Sequence, residues 1–353
     1  MTLIDLIRKG NYQSVSVVGM AKNVGKTVTL NRLVDEANAR GVFLGMTSSG
    51  RDGERVDEIT RLPKPAIKAG QGNLVATVDS AIEQSQADLE LAEGTPFVTQ
   101  LGRVLILRVL KPGNVLLVGP DTAHQLHEVC QTMRRHGAQL VLVDGAFDRV
   151  ATAAPAITQA AILATGAALG PSMAQTVART RTTVELFNLK RTRDARLEQV
   201  AKEVINARKY AVINDRYEPQ FLDIKTALDQ SGAILASIGE EAKAVAFGGA
   251  LPGSLVKELT DRPKLLTKVE LIVSDGTKVF VEHGGWKKFV AAGGRVRVLS
   301  PINLLAVTVN PYSPVGPSYQ PREFLDRVGA AVAPLPTYDL VLGEAVNVRP
   351  GSI

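Results

Sequence analysis

The chain has 353 residues, of which 45% are hydrophobic, 22% charged and 5% aromatic, a globular composition that argues against disordered, collagen-like and coiled-coil architectures. Forty-one Lys and Arg against 35 Asp and Glu leave a net charge of +6, too mild and too scattered to mark a nucleic-acid binder. One cysteine, Cys130, and four histidines argue against a disulfide framework and a cysteine-rich metal site, and no apolar run approaches the roughly 20 residues that span a bilayer.

Along the chain, short apolar runs alternate with helical patterns, which is how parallel β-α-β units read. Residues 14–20 are expected as a strand, followed by a helix over 26–40. Its Leu30, Leu33, Val34 and Ala37 fall on one face, and Gly41 supplies the stop. Further strands are expected at 42–47, 73–78, 103–110, 114–118 and 139–143. A helix over 121–136 carries the stripe Leu126, Val129, Cys130 and Met133, ended by Gly137. Residues 160–164 read as a strand that runs into a glycine-rich turn at 166–170 and then a helix begun by Pro171 or Ser172. The charged, helical stretch 188–208 is taken as the domain boundary. Strands are expected after it at 210–214, 233–238, 269–274, 278–282, 295–299 and 304–309, and residues 310–321, rich in proline, as loop. The expected fold is therefore α/β: a P-loop NTPase domain over 1–190, with a mostly parallel sheet flanked by helices, and a second, smaller α/β domain over 191–353, for partner binding or regulation.

The strongest chemical signal is the segment Met20, Ala21, Lys22, Asn23, Val24, Gly25, Lys26, Thr27, which leaves a strand and opens a helix. In a phosphate loop the backbone N–H groups and the helix N-terminus face the phosphates. Gly25 permits close approach, Lys26 reaches the β- and γ-phosphates, and Thr27 ligates Mg²⁺. Lys22, Asn23 and Val24 complete the nucleotide-binding set. Met20 stands where the general pattern has glycine, with Gly19 one residue early. Such an enzyme also needs an acid at the carboxyl end of a neighbouring strand, and Asp144 fills that place for Mg²⁺. A third polar segment, residues 47–54, offers Asp52 for the metal or the attacking water, Glu54 beside it and Arg51 for transferring charge. The catalytic set is thus Lys26 with Asp52 or Glu54.

Residues 19–27 and 47–54, together with Val143, Asp144, Gly145, Ala146, Phe147, Asp148 and Arg149 and with the turn at 164–168, resemble the P-loop subunit of lysine 5,6-aminomutase reactivase. The likeness runs from about residue 13 to 188 and, more weakly, into Asn310, Pro311, Tyr312, Ser313 and Pro314. It implies an ATP- and Mg²⁺-dependent chaperone that exchanges damaged for intact cobalamin in an adenosylcobalamin-dependent aminomutase. The implied companion is a mismatch-repair-like ATPase subunit. The alternatives are a small-molecule phosphotransferase or ATP-dependent ligase resembling dethiobiotin synthetase, and a nucleotide-binding switch with little turnover. The start of the chain lacks a signal-peptide pattern, so a cytoplasmic protein without nucleic-acid or membrane partners is expected, and a homo-oligomer is compatible with this reading. ATP against GTP, the aminomutase served and the role of residues 210–353 stay open.

Overall fold

A computed structural model describes residues 1–49, 66–145, 153–155, 157–314 and 316–348. They form two compact units, Met1–Thr180 with Asn303–Ile353, and Arg181–Ile302. The chain opens with helix α1 (Leu3–Lys9), for which the sequence reading proposed no element. Its signal is a capping box: Thr2 Oγ1 accepts the Asp5 N–H, and the Asp5 carboxylate accepts the Thr2 N–H at 2.8 Å. Then follow β1 (Ser14–Gly19), α2 (Lys26–Asn38), β2 (Leu44–Ser48), β3 (Ile67–Ala69), β4 (Leu74–Val78) and α3 (Asp79–Ile82). A long hairpin of β5 (Asp88–Thr99) and β6 (Gly102–Lys111) leads to β7 (Gly113–Val115), α4 (Ala123–Arg135), β8 (Leu140–Asp144), β9 (Ala160–Gly166) and α5 (Met173–Phe187), which runs into the second unit.

The second unit continues with α6 (Ala195–Asn206), β10 (Tyr210–Asn214), β11 (Pro219–Leu222), α7 (Ser231–Ala236), β12 (Ala242–Phe247), β13 (Leu251–Pro252), α8 (Gly253–Thr260), α9 (Pro263–Leu266), β14 (Glu270–Val273), β15 (Val279–Phe280), α10 (His283–Ala291) and β16 (Arg295–Val298). Among the described residues its main sheet has five strands, ordered β11-β10-β12-β14-β16, with β12, β14 and β16 parallel. Residues 233–238, expected as a strand, lie largely in helix α7. A short apolar run fits a buried helix as well as a strand, and here Ile234 and Leu235 are the buried apolar residues of the helix. Strands β11, β12 and β13 were not expected, and β12 hides because three of its six residues are alanine.

The chain then returns to the first unit through β17 (Leu304–Asn310), α11 (Pro321–Val332), β18 (Thr337–Asp339) and β19 (Glu344–Val346). The expected division at 190/191 therefore differs from the structure, in which the units part at Thr180 and Arg181 and the chain rejoins the first unit from Asn303, with β17, β18 and β19 in its sheet. Among the described residues that sheet has ten strands, in the order β19-β18-β17-β9-β1-β8-β2-β4-β6-β5. It is parallel from β18 through β4 and antiparallel at both margins. The unit is thus α/β, with a large, mostly parallel sheet flanked by helices.

Strands β1, β8 and β9 are buried along their whole length because both sheet faces are covered. Leu140 and Leu142 of β8 join the cluster containing Leu30, Leu33 and Val34 of α2, whereas Val141 and Val143 join Leu126, Val129 and Met133 of α4. That alternation puts Asp144 on the α2 face. Strand β5 had no sequence signal because its residues are half polar. It is the sheet edge, with Pro96 and several register shifts, features that make an edge a poor template for further pairing.

In the second unit, Asp194 caps α6 by accepting the Leu197 N–H and pairs with Lys243 at 2.6 Å. Tyr217 donates to Asp194 at 2.9 Å and accepts from Lys243 at 2.8 Å. The Lys243 hydrogen bond, aided by those from Leu197 and Tyr217, holds the Asp194 carboxyl down at about 2. A carboxyl depressed on folding stabilises above its unfolded pKa, near 3.9, and loses that contribution as pH falls through the folded value. The second unit of the intact protein should therefore lose stability between about pH 4 and 2. Acid titration by circular dichroism should show that loss, and Asp194→Asn should flatten it; the same acid profile in the variant would remove the ion pair from the account.

Candidate functional site

Three parallel strands, β1, β9 and β17, end side by side, and the turn from β1 into α2 is pressed between their ends. Gly19 closes β1; a Cβ there would lie 3.1 Å from the Val24 side chain and 3.2 Å from the Ala21 carbonyl oxygen. The crowded position is therefore 19, where Val24 folds back, rather than 20. Met20 keeps ordinary backbone, donates its N–H to the Ala164 carbonyl at 3.0 Å, and packs with Ala21 and Ala168 around Val24, Ala164 and Leu169. The left-handed positions are Asn23, at φ +60, and Gly25, at φ +91, the N-cap of α2. Asparagine and glycine are the residues that tolerate this region best.

The turn delivers Lys26 to the carboxyl end of β8. Its Nζ stands 2.9 Å from Asp144 Oδ1 and also donates to the Gly145 carbonyl. Both side chains are largely covered, 15% and 7% exposed, so the pair sits in a medium that strengthens it. Asp144 is placed by pairing on both sides, to Val17 of β1 and to Ser48 of β2. Ser48 in turn donates to the Leu117 carbonyl at 3.1 Å and accepts the Gly119 N–H at 3.1 Å, tying the 117–119 segment to the same edge. Thr27 lies in the first turn of α2. Among the described residues no backbone hydrogen bond engages the N–H groups of Val24, Gly25 or Thr27. A helix start with open donors, next to an ammonium and a carboxylate, can hold an anion together with a hard divalent cation.

Of the residues singled out from sequence, Lys22, Asn23, Val24, Gly25, Lys26 and Thr27 share this one turn, and Asp144 meets Lys26 directly. Asp52 and Glu54, with Arg51, lie outside the described residues, as do Phe147, Asp148 and Arg149. Sequence reasoning from the residues alone missed what the C-terminal strand contributes. Asn310 Nδ2 donates to the Asn23 carbonyl at 2.9 Å, and the Thr29 and Thr308 hydroxyls meet at 2.8 Å, with Thr29 also donating to the Gly25 carbonyl at 3.2 Å. Gly166 also belongs here: a Cβ on it would lie 2.6 Å from the Asn310 carbonyl oxygen and 3.2 Å from Val24 Cα. The sequence signals for Asn310 were its place directly after an expected strand and before Pro311, and the weaker likeness over 310–314.

His124 and Glu128 make an exposed pair at 3.3 Å, and among the described residues no cluster of three ligating side chains could hold a metal. Burial pushes the Cys130 thiol up to about 12, which leaves it inert. Trp286 is buried, stacked on Phe289 and donating to Glu185 at 2.9 Å. A cleft of about 570 Å³ lies at the opposite end of α2, lined by Asn38, Phe43, Lys68, Asn73 and Asn114, away from the Lys26–Asp144 pair.

Gly25→Ala should cost about 1–2 kcal/mol, since an L side chain resists that φ and its Cβ would stand 3.0 Å from Asn310 Cβ. Urea unfolding measures this; an unchanged midpoint would mean that the turn relaxes freely. No protein-family model matches this chain, and neither a curated relative nor a solved structure does.

Proposed function

We propose that this protein is a P-loop ATPase whose phosphate site is the turn from residue 19 to residue 27. The observation that carries the reading is the Lys26–Asp144 pair at 2.9 Å, formed where open helix N–H groups and a left-handed Gly25 meet the carboxyl edge of a parallel sheet. A structural ion pair at that depth would need no glycine-hinged turn and no unengaged donors around it. In this reading Lys26 leaves Asp144 to bind the β- and γ-phosphate oxygens, and the N–H groups of Val24, Gly25 and Thr27 take the remaining negative charge.

The donor chemistry fits Mg²⁺: a carboxylate on Asp144 and a hydroxyl on Thr27, both hard oxygens, on elements that meet at this edge. When bound, Mg²⁺ neutralises charge on the β- and γ-phosphates. The chain's part is to hold the triphosphate still, exclude competing geometries and orient a water, with Asp52 or Glu54 for that last task. Water oxygen bonds to the γ-phosphorus as the bond to the β–γ bridging oxygen breaks, giving ADP, phosphate and a proton.

Hydrolysis in the proposed role drives remodelling of an adenosylcobalamin-dependent aminomutase, assisted by a mismatch-repair-like ATPase subunit. That step rests on the resemblance of the loop, the Asp144 segment and residues 310–314, together with an interrupted first unit that carries a 122-residue insertion, Arg181–Ile302. Only a partner that binds the nucleotide-bound and nucleotide-free forms differently can be moved by the cycle.

Lys26→Ala should abolish ATP hydrolysis and weaken ATP binding at least about tenfold, roughly 1.4 kcal/mol, with the melting transition retained. Asp144→Asn should lose Mg²⁺-dependent hydrolysis while keeping metal-free nucleotide binding. Calorimetry and phosphate release measure both; ATP affinity unchanged in Lys26→Ala contradicts the phosphate site. Phosphate recovered on a small molecule instead of in solution would favour a phosphotransferase.

A further inference from the structure

Resting on the reading that residues 19–27 bind a nucleotide, we propose that Asn310 is a positioning residue of that site, so that the strand after residue 302 completes the phosphate loop. Asn310 meets the loop at two places and the end of β9 at a third. Its Nδ2 donates to the Asn23 carbonyl at 2.9 Å, its Cβ stands 3.0 Å from where a Gly25 Cβ would be, and its own carbonyl oxygen lies 2.6 Å from the corresponding position on Gly166. Its side-chain oxygen is used as well, accepting the Tyr312 N–H at 3.2 Å. The carboxamide is therefore held at both ends, with its donor turned to the loop.

What this fixes is a peptide plane. The Asn23 carbonyl and the Val24 N–H belong to one planar trans unit and point in opposite directions. Holding the carbonyl on Asn310 aims the Val24 N–H away from Asn310, and that N–H has no backbone partner among the described residues. Asn23 itself sits at φ +60, a left-handed conformation that asparagine tolerates better than other residues with a side chain. Two residues back on the same face of β17, the buried Thr308 hydroxyl meets Thr29 one turn into α2, which locks the strand's register against the helix. Asn310 thus sets the direction of a phosphate-facing donor without touching phosphate.

The experiment compares ATP calorimetry and steady-state hydrolysis for the wild type, Lys26→Ala, Asn310→Ala and Asn310→Asp, in the full chain. Asn310→Ala should raise KM for ATP about five- to tenfold, the size of one lost neutral hydrogen bond, with a smaller fall in kcat. Asn310→Asp, nearly isosteric, turns the donor into an acceptor facing a carbonyl and should raise KM further; it carries the test if the alanine variant is unstable. Wild-type KM in Asn310→Asp, while Lys26→Ala loses ATP, overturns the positioning role alone. A wild type that binds no nucleotide overturns the phosphate-site reading and this proposal with it.

Discussion

The organisation of the first unit follows from how tightly the turn between β1 and α2 is pressed onto the strand ends beside it. Gly19, Gly25 and Gly166 each lie where a Cβ would meet a neighbour within about 3.1 Å, and those neighbours belong to the turn itself and to Asn310. This crowding leaves the turn little choice of path. It forces left-handed backbone at Asn23 and Gly25, starts α2 at Lys26, and brings the Lys26 ammonium against Asp144. The apolar residues do the corresponding work from below: Leu30, Leu33 and Val34 bind α2 to the sheet, so the helix start cannot drift from the strand ends.

A second consequence concerns the order of the chain. The sheet is built from residues on both sides of the Arg181–Ile302 insertion, and β17 reaches the loop 287 residues after Asn23. The loop therefore depends on a segment made after the insertion. The insertion is covalently joined through α5 and through the residues that lead into β17. The Thr165–Thr180 hydroxyl contact at 2.7 Å ties α5 to β9 before the chain leaves the first unit. In the proposed function this connectivity gives nucleotide state a route to the inserted unit through elements that bracket the site.

The sequence made the local part of this legible and concealed the non-local part. Strand β1, the Gly25, Lys26, Thr27 run and helix α2 could be read because an apolar run, a helix start and a helical stripe are each written in consecutive residues. Asp144 was legible for the same reason, as the first acid after an apolar strand. The position of β17 was not, because residues 304–309 carry the same apolar pattern whichever sheet they join. Its pairing with β9 is set by tertiary contacts alone. The contacts of Asn310 with Asn23, Gly25 and Gly166 inherit that difficulty. Met20 shows the opposite case: the departure from the general phosphate-loop pattern is explained only when Val24 is seen folding over Gly19.

The central claim is that the phosphates of a nucleotide engage this turn. Hydrogen–deuterium exchange of the full chain, with and without Mg²⁺ and a non-hydrolysable ATP analogue, tests it most directly because it reports where protection appears. The account predicts slowed exchange at the Val24, Gly25 and Thr27 amides, which lack backbone partners in the structure described. Unchanged exchange across residues 19–27, with protection concentrated instead around the cleft at Asn38 and Asn73 or within the inserted unit, would contradict it.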